Sequence, residues 1–303
     1  MPTAARAGQG RVTPPRPILI GCAPDGSVGD VLALGELLAR TIGLELLLAC
    51  VYVDEPAMAQ NFRLARQREA EQTVDAALER IESSGLVRHG RAYPARSVTR
   101  GLAELALAEE PELLVIGSRH TSLGRLLSGS VTERLFATSS SPVAIAPRDF
   151  AARRHDTLSR IGVGYDGSME ARAALAKAAE LAETTDAELR VTVVCDSTAS
   201  PGLEGTDHAS LESRRRAEAE ARLEEALVTL GGGKRATGAI VAGAPAAALE
   251  ATAKSDALDL LVIGSRGYGP FHAVAAGGVS SHLARHVLCP LVVVAQPTPP
   301  KPV

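Results

Sequence analysis

The chain has 303 residues, more than a single hydrophobic core usually occupies, so two domains of roughly 150 residues are the natural division. A hydrophobic fraction of 46% with 22% charged residues is that of a globular chain, and a net charge of −3 supplies no basic field for nucleic acid or anionic lipid. Aromatic residues make up only 3%, with no tryptophan, so stacking platforms for single-stranded nucleic acid are hardly available, and no stretch approaches the roughly 20 apolar residues that span a bilayer.

The first sixteen residues are polar and rich in Pro and Gly without an apolar run, and read as a tail. The first half then opens with a short apolar run through Ile20-Gly21, followed by Asp25-Gly26-Ser27. Ser27 stands three residues before Asp30, where a hydroxyl can cap the first amides of a helix. A later strand, Leu113–Ile116, leads into Gly117-Ser118-Arg119, and Val143–Ala146 closes the half.

The second half repeats this order. Ile161–Gly164 predicts a strand and Asp166-Gly167-Ser168 a turn into a helix. Leu189–Val194 is the next strand, followed by a long polar helix over about Ser210–Leu230 and a strand at Ala236–Val241. A helix from Pro245 to about Lys254, the strand Leu260–Ile263, a glycine-rich loop, a helix over Val279–Val287 and a last strand at Leu291–Val294 complete it. The heptapeptide Leu113–Arg119 recurs letter for letter as Leu260–Arg266, 147 residues later. Ile20-Gly21 with Asp25-Gly26-Ser27 recurs 141 residues later, and Ser141-Pro142-Val143 is answered by Cys289-Pro290-Leu291. Three landmarks in one order at nearly one offset identify a duplicated domain. The divisions expected are a tail over 1–16, a domain over 17–147, a polar linker over 148–158, a domain over 159–296 and a tail over 297–303.

Near-continuous Val/Ile/Leu strands between helices require a parallel sheet covered on both faces. The fold expected is therefore α/β: two tandem doubly wound, Rossmann-like domains, each a mainly parallel five-stranded sheet with helices on both faces. Ligands of such sheets bind beyond the carboxyl ends of the strands, where the strand order reverses. Both polar motifs follow strand ends, so Asp166-Gly167-Ser168 and Gly264-Ser265-Arg266-Gly267 converge if their strands are neighbours. Glycines let backbone approach an anion, and the amides at a helix start add positive potential. The run Gly264-x2-Gly267-x9-Gly277-Gly278 before a helix thus suits a phosphate cradle, though glycine-rich loops also serve merely to turn a chain.

That spacing resembles the universal stress protein family, whose nucleotide-binding members carry G-x2-G-x9-G and then Ser or Thr after the fourth strand, with an Asp after the first. The resemblance covers the second half along its length and most of the first. It implies ATP as ligand, with Mg²⁺ as companion cation. Asp166 would lie near the ribose or a phosphate-bound metal, and Val194 would present backbone to the adenine. Gly264, Arg266, Gly267, Gly277, Gly278, Val279 and Ser280 would surround ribose and phosphates. Gly278 departs from the pattern by standing in the Ser/Thr place. In the first half the corresponding set is Asp25, Gly117, His120, Gly129, Ser130 and Val131; His120 replaces the middle glycine and the spacer is one residue shorter. That half either accepts nucleotide with altered affinity or is structural.

Other chemistry is poorly represented. Gly231-Gly232-Gly233-Lys234-Arg235 lacks the spacing and the Ser/Thr of a Walker A loop, and neither a nucleophile elbow nor a paired-cysteine metal motif occurs. His282 and His286 stand four apart on one helix without an evident third ligand. Cys22, Cys50, Cys195 and Cys289 read as small buried hydrophobes in a reducing, cytoplasmic setting, Tyr165 as a packing residue beside the crevice, and Arg214-Arg215-Arg216 as a solvated helix face. Three functions stay open: a nucleotide-binding regulatory module with a protein partner, a nucleotide-independent interaction protein, and an ATP-hydrolysing or nucleotidyl-transferring enzyme. The resemblance also implies pairing through final strands, satisfied inside one chain as a pseudo-dimer and compatible with a further homodimer.

Overall fold

The computed structural model describes residues 16–24, 28–118, 132, 134–136, 139–153, 157–196, 206–231, 235–265, 278–286 and 288–295. The first repeat runs β1 (Ile18–Cys22), α1 (Val28–Ile42), β2 (Leu46–Val53), α2 (Gln60–Ile81), β3 (Val87–Ala95), α3 (Val98–Glu109), β4 (Leu113–Gly117) and β5 (Val143–Ala146). The second runs β6 (Arg160–Gly164), α4 (Met169–Thr185), β7 (Glu188–Cys195), α5 (Thr206–Thr229), β8 (Ala236–Ala242), α6 (Pro245–Ser255), β9 (Leu260–Gly264), α7 (Val279–His286) and β10 (Leu291–Val294). The expected strands are found, and α5 begins four residues earlier than its apolar pattern suggests.

All ten strands form one sheet in the order β3-β2-β1-β4-β5-β10-β9-β6-β7-β8. Among the described residues every pairing within a repeat is parallel, and the one antiparallel pairing is β5 with β10, through Ile145–Leu291, Ala144–Val292 and Val143–Val293. The strands of the two repeats therefore run in opposite directions, and their carboxyl ends lie on opposite borders of the sheet. The final strands that the repeats would otherwise leave as edges pair with each other.

Central strands buried on both faces are apolar almost throughout: Leu46 to Cys50, Leu113 to Val115 and Leu291 to Val293 are each at most 1% exposed. One face carries α1, α2, α4 and α5, and the cluster beneath them joins Ile18, Leu34 and Leu48 of the first repeat to Ile161, Leu175 and Val191 of the second. The opposite face joins Leu102 and Leu105 of α3 to Leu249 of α6 and Leu283 of α7 in the same way. Neither repeat has a private core. Helix patterns follow: Val31, Leu34 and Leu38 recur at three- and four-residue spacing and turn one stripe of α1 onto the sheet.

The stretch between the repeats is anchored where it is described. Phe150 and Leu158 are each 1% exposed and belong to the core. Asp30 accepts from the amides of Asp149 and Ala151 at 3.1 and 2.9 Å, and Arg153 donates to the Leu288 carbonyl at 2.8 Å. Burial pushes the Cys22 and Cys289 thiols up to about 12 and Cys50 up to about 11, while Cys195 is half-buried. No helix among the described residues is long and apolar enough to cross a membrane.

Lys177 of α4 crosses from one repeat to the other. Its side chain is 8% exposed, and its ammonium is bonded to Glu112 at the start of β4 and to Glu180 at 3.1 Å. Removing the ammonium leaves a part-buried carboxylate unpaired, which costs less than in a fully buried pair because Glu112 keeps some solvent. Lys177→Ala is expected to lower unfolding free energy by about 1–2 kcal/mol. A double-mutant cycle with Glu112→Gln, followed by chemical denaturation, should show the two losses to be non-additive; additive losses would mean the pair contributes nothing across the interface.

Candidate functional site

In the second repeat, β6 lies between β7 and β9, with Gly164 beside Thr192 on one side and Ile263 on the other. From this strand the chain winds outward in both directions, so the carboxyl ends of β6 and β9 flank the point where strand order reverses. Two loops leave from these ends. The first is Asp166-Gly167-Ser168. Asp166 Oδ1 accepts from the Ser168 amide at 3.0 Å, Gly167 turns with φ of +78°, and Ser168 Oγ accepts from the Ala171 amide at 3.1 Å as the cap of α4. This is an Asx turn feeding a helix cap, built from the residue types whose short side chains bond nearby backbone. The Asp166 carboxylate thus has a structural role in the turn itself.

The second loop begins at Gly264. A Cβ there would meet the Glu170 carbonyl carbon at 2.5 Å and the Ala171 nitrogen at 2.8 Å. The start of α4 therefore passes directly over the end of β9, and glycine is what permits the close approach. This contact brings the two repeated motifs together. Ser265, 3% exposed, donates its amide to the Val294 carbonyl at 2.8 Å, just as Ser118 donates to Ala146 in the first repeat.

Gly278 precedes α7, and its carbonyl accepts from the His282 amide at 3.0 Å, which makes it the first acceptor of the helix. It is exposed, and a Cβ built on it meets none of the described residues within 4 Å. Val279 and Ser280 are half-buried behind it. The first amides of α7 have no partner within the helix, as at any helix start. Val194 is half-buried near the end of β7 and pairs with Val241 of β8. Arg266, Gly267 and Gly277 lie outside the described residues, as do Asp25, His120, Gly129, Ser130 and Val131 of the first repeat. Gly117 ends β4 beside Ala146, the place Gly264 holds beside Val294.

Several polar arrangements have no signature in sequence spacing. The Tyr165 hydroxyl donates to Glu225 Oε1 of α5 at 2.9 Å, and Arg172 Nε donates to the same oxygen at 2.8 Å. Tyr165 is 3% exposed, so it packs as expected but also has a polar role. The Arg172 guanidinium and the Tyr165 hydroxyl hold the Glu225 carboxyl below its ordinary value, and burial beside Glu225 raises the Tyr165 phenol. Arg222 of α5 lays its stem 3.6 to 3.9 Å from where a Gly167 Cβ would be. In the first repeat, Asp54 follows β2 and is gripped by both Arg63 Nε and, at 3.1 Å from Oδ2, Nη2; that guanidinium lowers the Asp54 carboxyl. Counting by the 141-residue offset, Cys195 stands there in the second repeat.

His282 Nε2 is 3.0 Å from Glu250 Oε2 on α6, while His286 Nδ1 is 2.9 Å from the His282 carbonyl, the rings stacked at 4.3 Å. His282 ties α7 to α6 and the exposed His286 bonds back to its own helix; among the described residues no group of three or more His, Cys, Asp or Glu is placed to hold a metal. A concavity of about 450 Å³ lies away from the crevice, lined by Leu223, Leu227, Val228 and Ile240 with Glu220 and Glu224 at its rim. Its apolar and acidic walls suit no phosphate.

The two glycines should respond differently to a methyl group. Gly264→Ala is expected to cost about 1–3 kcal/mol of stability through overpacking against helix backbone, whereas Gly278→Ala should be nearly neutral. Thermal denaturation of both variants checks this; equal behaviour would mean α4 does not press on β9.

Comparison with known proteins fits this architecture. The universal stress protein family model matches residues 16–147 and again 157–295. Universal stress protein Mb2346c of Mycobacterium bovis is 32% identical over 145 residues, 48% of either chain; the chain spans about half the length of that relative. Universal stress protein Rv2005c of Mycobacterium tuberculosis is 29% identical over 196 residues, 63% of this chain and 64% of its own. Among solved structures, a universal stress protein from Archaeoglobus fulgidus DSM 4304 has a TM-score of 0.64 at 20% identity, covering 92% of this chain and 96% of that one. A putative universal stress protein from Pseudomonas aeruginosa UCBPP-PA14 has 0.63 at 17%, covering 94% of each. At such identities the structural likeness shows the fold. Two successive matches to one family, on a backbone that carries the same fold twice, establish that the chain belongs to the universal stress protein family as a tandem member.

Proposed function

We propose that the second repeat binds an adenine nucleotide, ATP accompanied by Mg²⁺, and that the protein works as a nucleotide-responsive module in a stress response. The observation that supports this most is the meeting of the Asp166 turn with Gly264 at the switch point of the sheet, while the start of α7 at Gly278 follows from the same stretch of chain. In this reading Val194 offers backbone to the adenine, and Asp166 faces ribose or the metal-bound phosphates. Gly264, Arg266, Gly267, Gly277, Gly278, Val279 and Ser280 surround ribose and phosphates. The α7 amides take the anion, helped by the helix dipole. In the first repeat Asp25, Gly117, His120, Gly129, Ser130 and Val131 form the corresponding set.

Binding rather than turnover is proposed, with ATP shifting the protein between states that a protein partner distinguishes. Asp166 Oδ1 already serves the Ser168 amide, which suits a fixed ligand contact better than proton transfer. A nucleotide-independent interaction protein is the second reading, and Gly278 in the hydroxyl place and His120 in the glycine place favour it.

Calorimetric titration of nucleotide-stripped protein with ATP and Mg²⁺ is the test. One ATP per chain is expected, or two where His120 is tolerated. Gly267→Glu should abolish uptake at the second site. Gly278→Ser, which no described residue obstructs, should restore one neutral hydrogen bond and tighten binding about fivefold. Neither heat nor thermal stabilisation at millimolar ATP would favour the interaction protein.

A further inference from the structure

The two repeats differ beside the first strand's loop, in residues that the family resemblance does not single out. Tyr165, the residue before Asp166, reaches Glu225 of α5, and Arg172 in the second turn of α4 reaches the same oxygen through Nε and, at 2.8 Å, Nη2. Three elements therefore meet on one carboxylate: the end of β6, the start of α4 and the body of α5. The Asp166-Gly167-Ser168 turn lies between Tyr165 and Arg172, so both of its ends are tied to α5. The Arg222 stem packs on Gly167 from that helix as well.

The first repeat has none of these groups. By the 141-residue offset, Pro24 stands for Tyr165 and Val31 for Arg172. Core-facing positions align α2 with α5: the buried Ala70, Val74, Ala77 and Ile81 correspond to the buried Ala219 and Ala226 and the half-buried Leu223 and Leu230, which puts Ala76 in the place of Glu225. Three apolar residues replace a tyrosine, an arginine and a glutamate together. A fold that needed the three bonds merely to close would need them in both repeats.

We propose that Tyr165, Arg172 and Glu225 form a positioning lock that fixes the Asp166 turn and thereby sets nucleotide affinity in the second repeat alone. The inference rests on the nucleotide reading of this crevice. None of the three is assigned a contact with ligand. Their action is to spare the ligand the ordering of the turn, since a ligand that must order a loop binds more weakly by that cost.

The test pairs two measurements on the full chain. Amide hydrogen exchange over residues 165–171 reads the turn directly, and ATP–Mg²⁺ calorimetry reads affinity. Glu225→Ala should speed exchange there and weaken ATP about five- to tenfold, the equivalent of one ordinary net hydrogen bond. Tyr165→Phe should give a smaller loss, and Glu225→Gln, which keeps shape and acceptor, should restore part of it. Ile18→Val, a core truncation at the far end of β1, serves as control: it should lower thermal stability comparably without moving either readout. Unchanged exchange in Glu225→Ala overturns the lock, as does faster exchange with unaltered affinity. If the control weakens ATP equally, the three residues act through stability alone and the proposal falls. If the unaltered protein takes up no ATP, the nucleotide reading falls and the affinity claim with it, while exchange still decides whether the three residues hold the turn.

Discussion

The antiparallel pairing of β5 with β10 is the constraint from which the rest of this molecule follows. Each repeat by itself would end in a four-residue apolar strand with one unpaired border, and buried backbone groups without partners are costly. Joining the two borders satisfies both at once and withdraws the eight side chains almost completely from water. A fully buried Val or Leu contributes roughly 1.5–3 kcal/mol, so this seam ranks among the strongest parts of the fold. The helices must then follow the sheet. Because the seam is antiparallel within the sheet plane, equivalent helices of the two repeats come to the same face, where α1 and α4 meet and a single core spreads beneath them.

The same seam separates the chemistry. Opposite strand directions send the carboxyl ends of the repeats to opposite borders of the sheet, so the two crevices never face each other. Neither can complete the other, and each can change without disturbing the other's geometry. The divergence is visible in particular residues: Asp54 clamped by Arg63 after β2, Cys195 at the corresponding position as the last residue of β7, Pro24 against Tyr165, and Glu36 against the buried, bridging Lys177. Coupling between the crevices, where there is any, has to pass through the seam and the shared cores, because no loop spans the distance among the described residues.

Much of this fold was legible in the sequence because its strands are buried on both faces. Double burial forces runs such as Leu113–Ile116 to be apolar without interruption, and an exact repeat of that run 147 residues later declares the duplication. The Asp166 turn was legible too, since an Asx turn and a Ser cap draw on residues four or fewer positions apart. What could not be read was whatever depends on long-range apposition. Glu225 is 60 residues from Tyr165 and sits in a helix crowded with other glutamates, so nothing local marks it. Only the comparison of repeats could have raised it, because Arg172 occupies a helix position whose counterpart, Val31, is buried. The stretch after Pro147 reads as a polar linker by its arginines and aspartate, and nothing local in the sequence announces that Phe150 joins the core.

Gly264 shows how one residue can serve fold and site together. Its lack of a side chain lets α4 cross the end of β9, and that crossing is what sets the Asp166 turn beside the second loop. A larger residue would push the helix start away before any ligand entered the argument. The glycine would thus be required even in a repeat that bound nothing, and Gly117 at the corresponding end of β4 is consistent with that requirement. Gly278 is different: no described residue crowds it, so packing among the described residues does not call for a glycine there. Of the glycines that draw attention in the sequence, one is therefore explained by packing, and the other must be explained, if at all, by what comes to the start of α7.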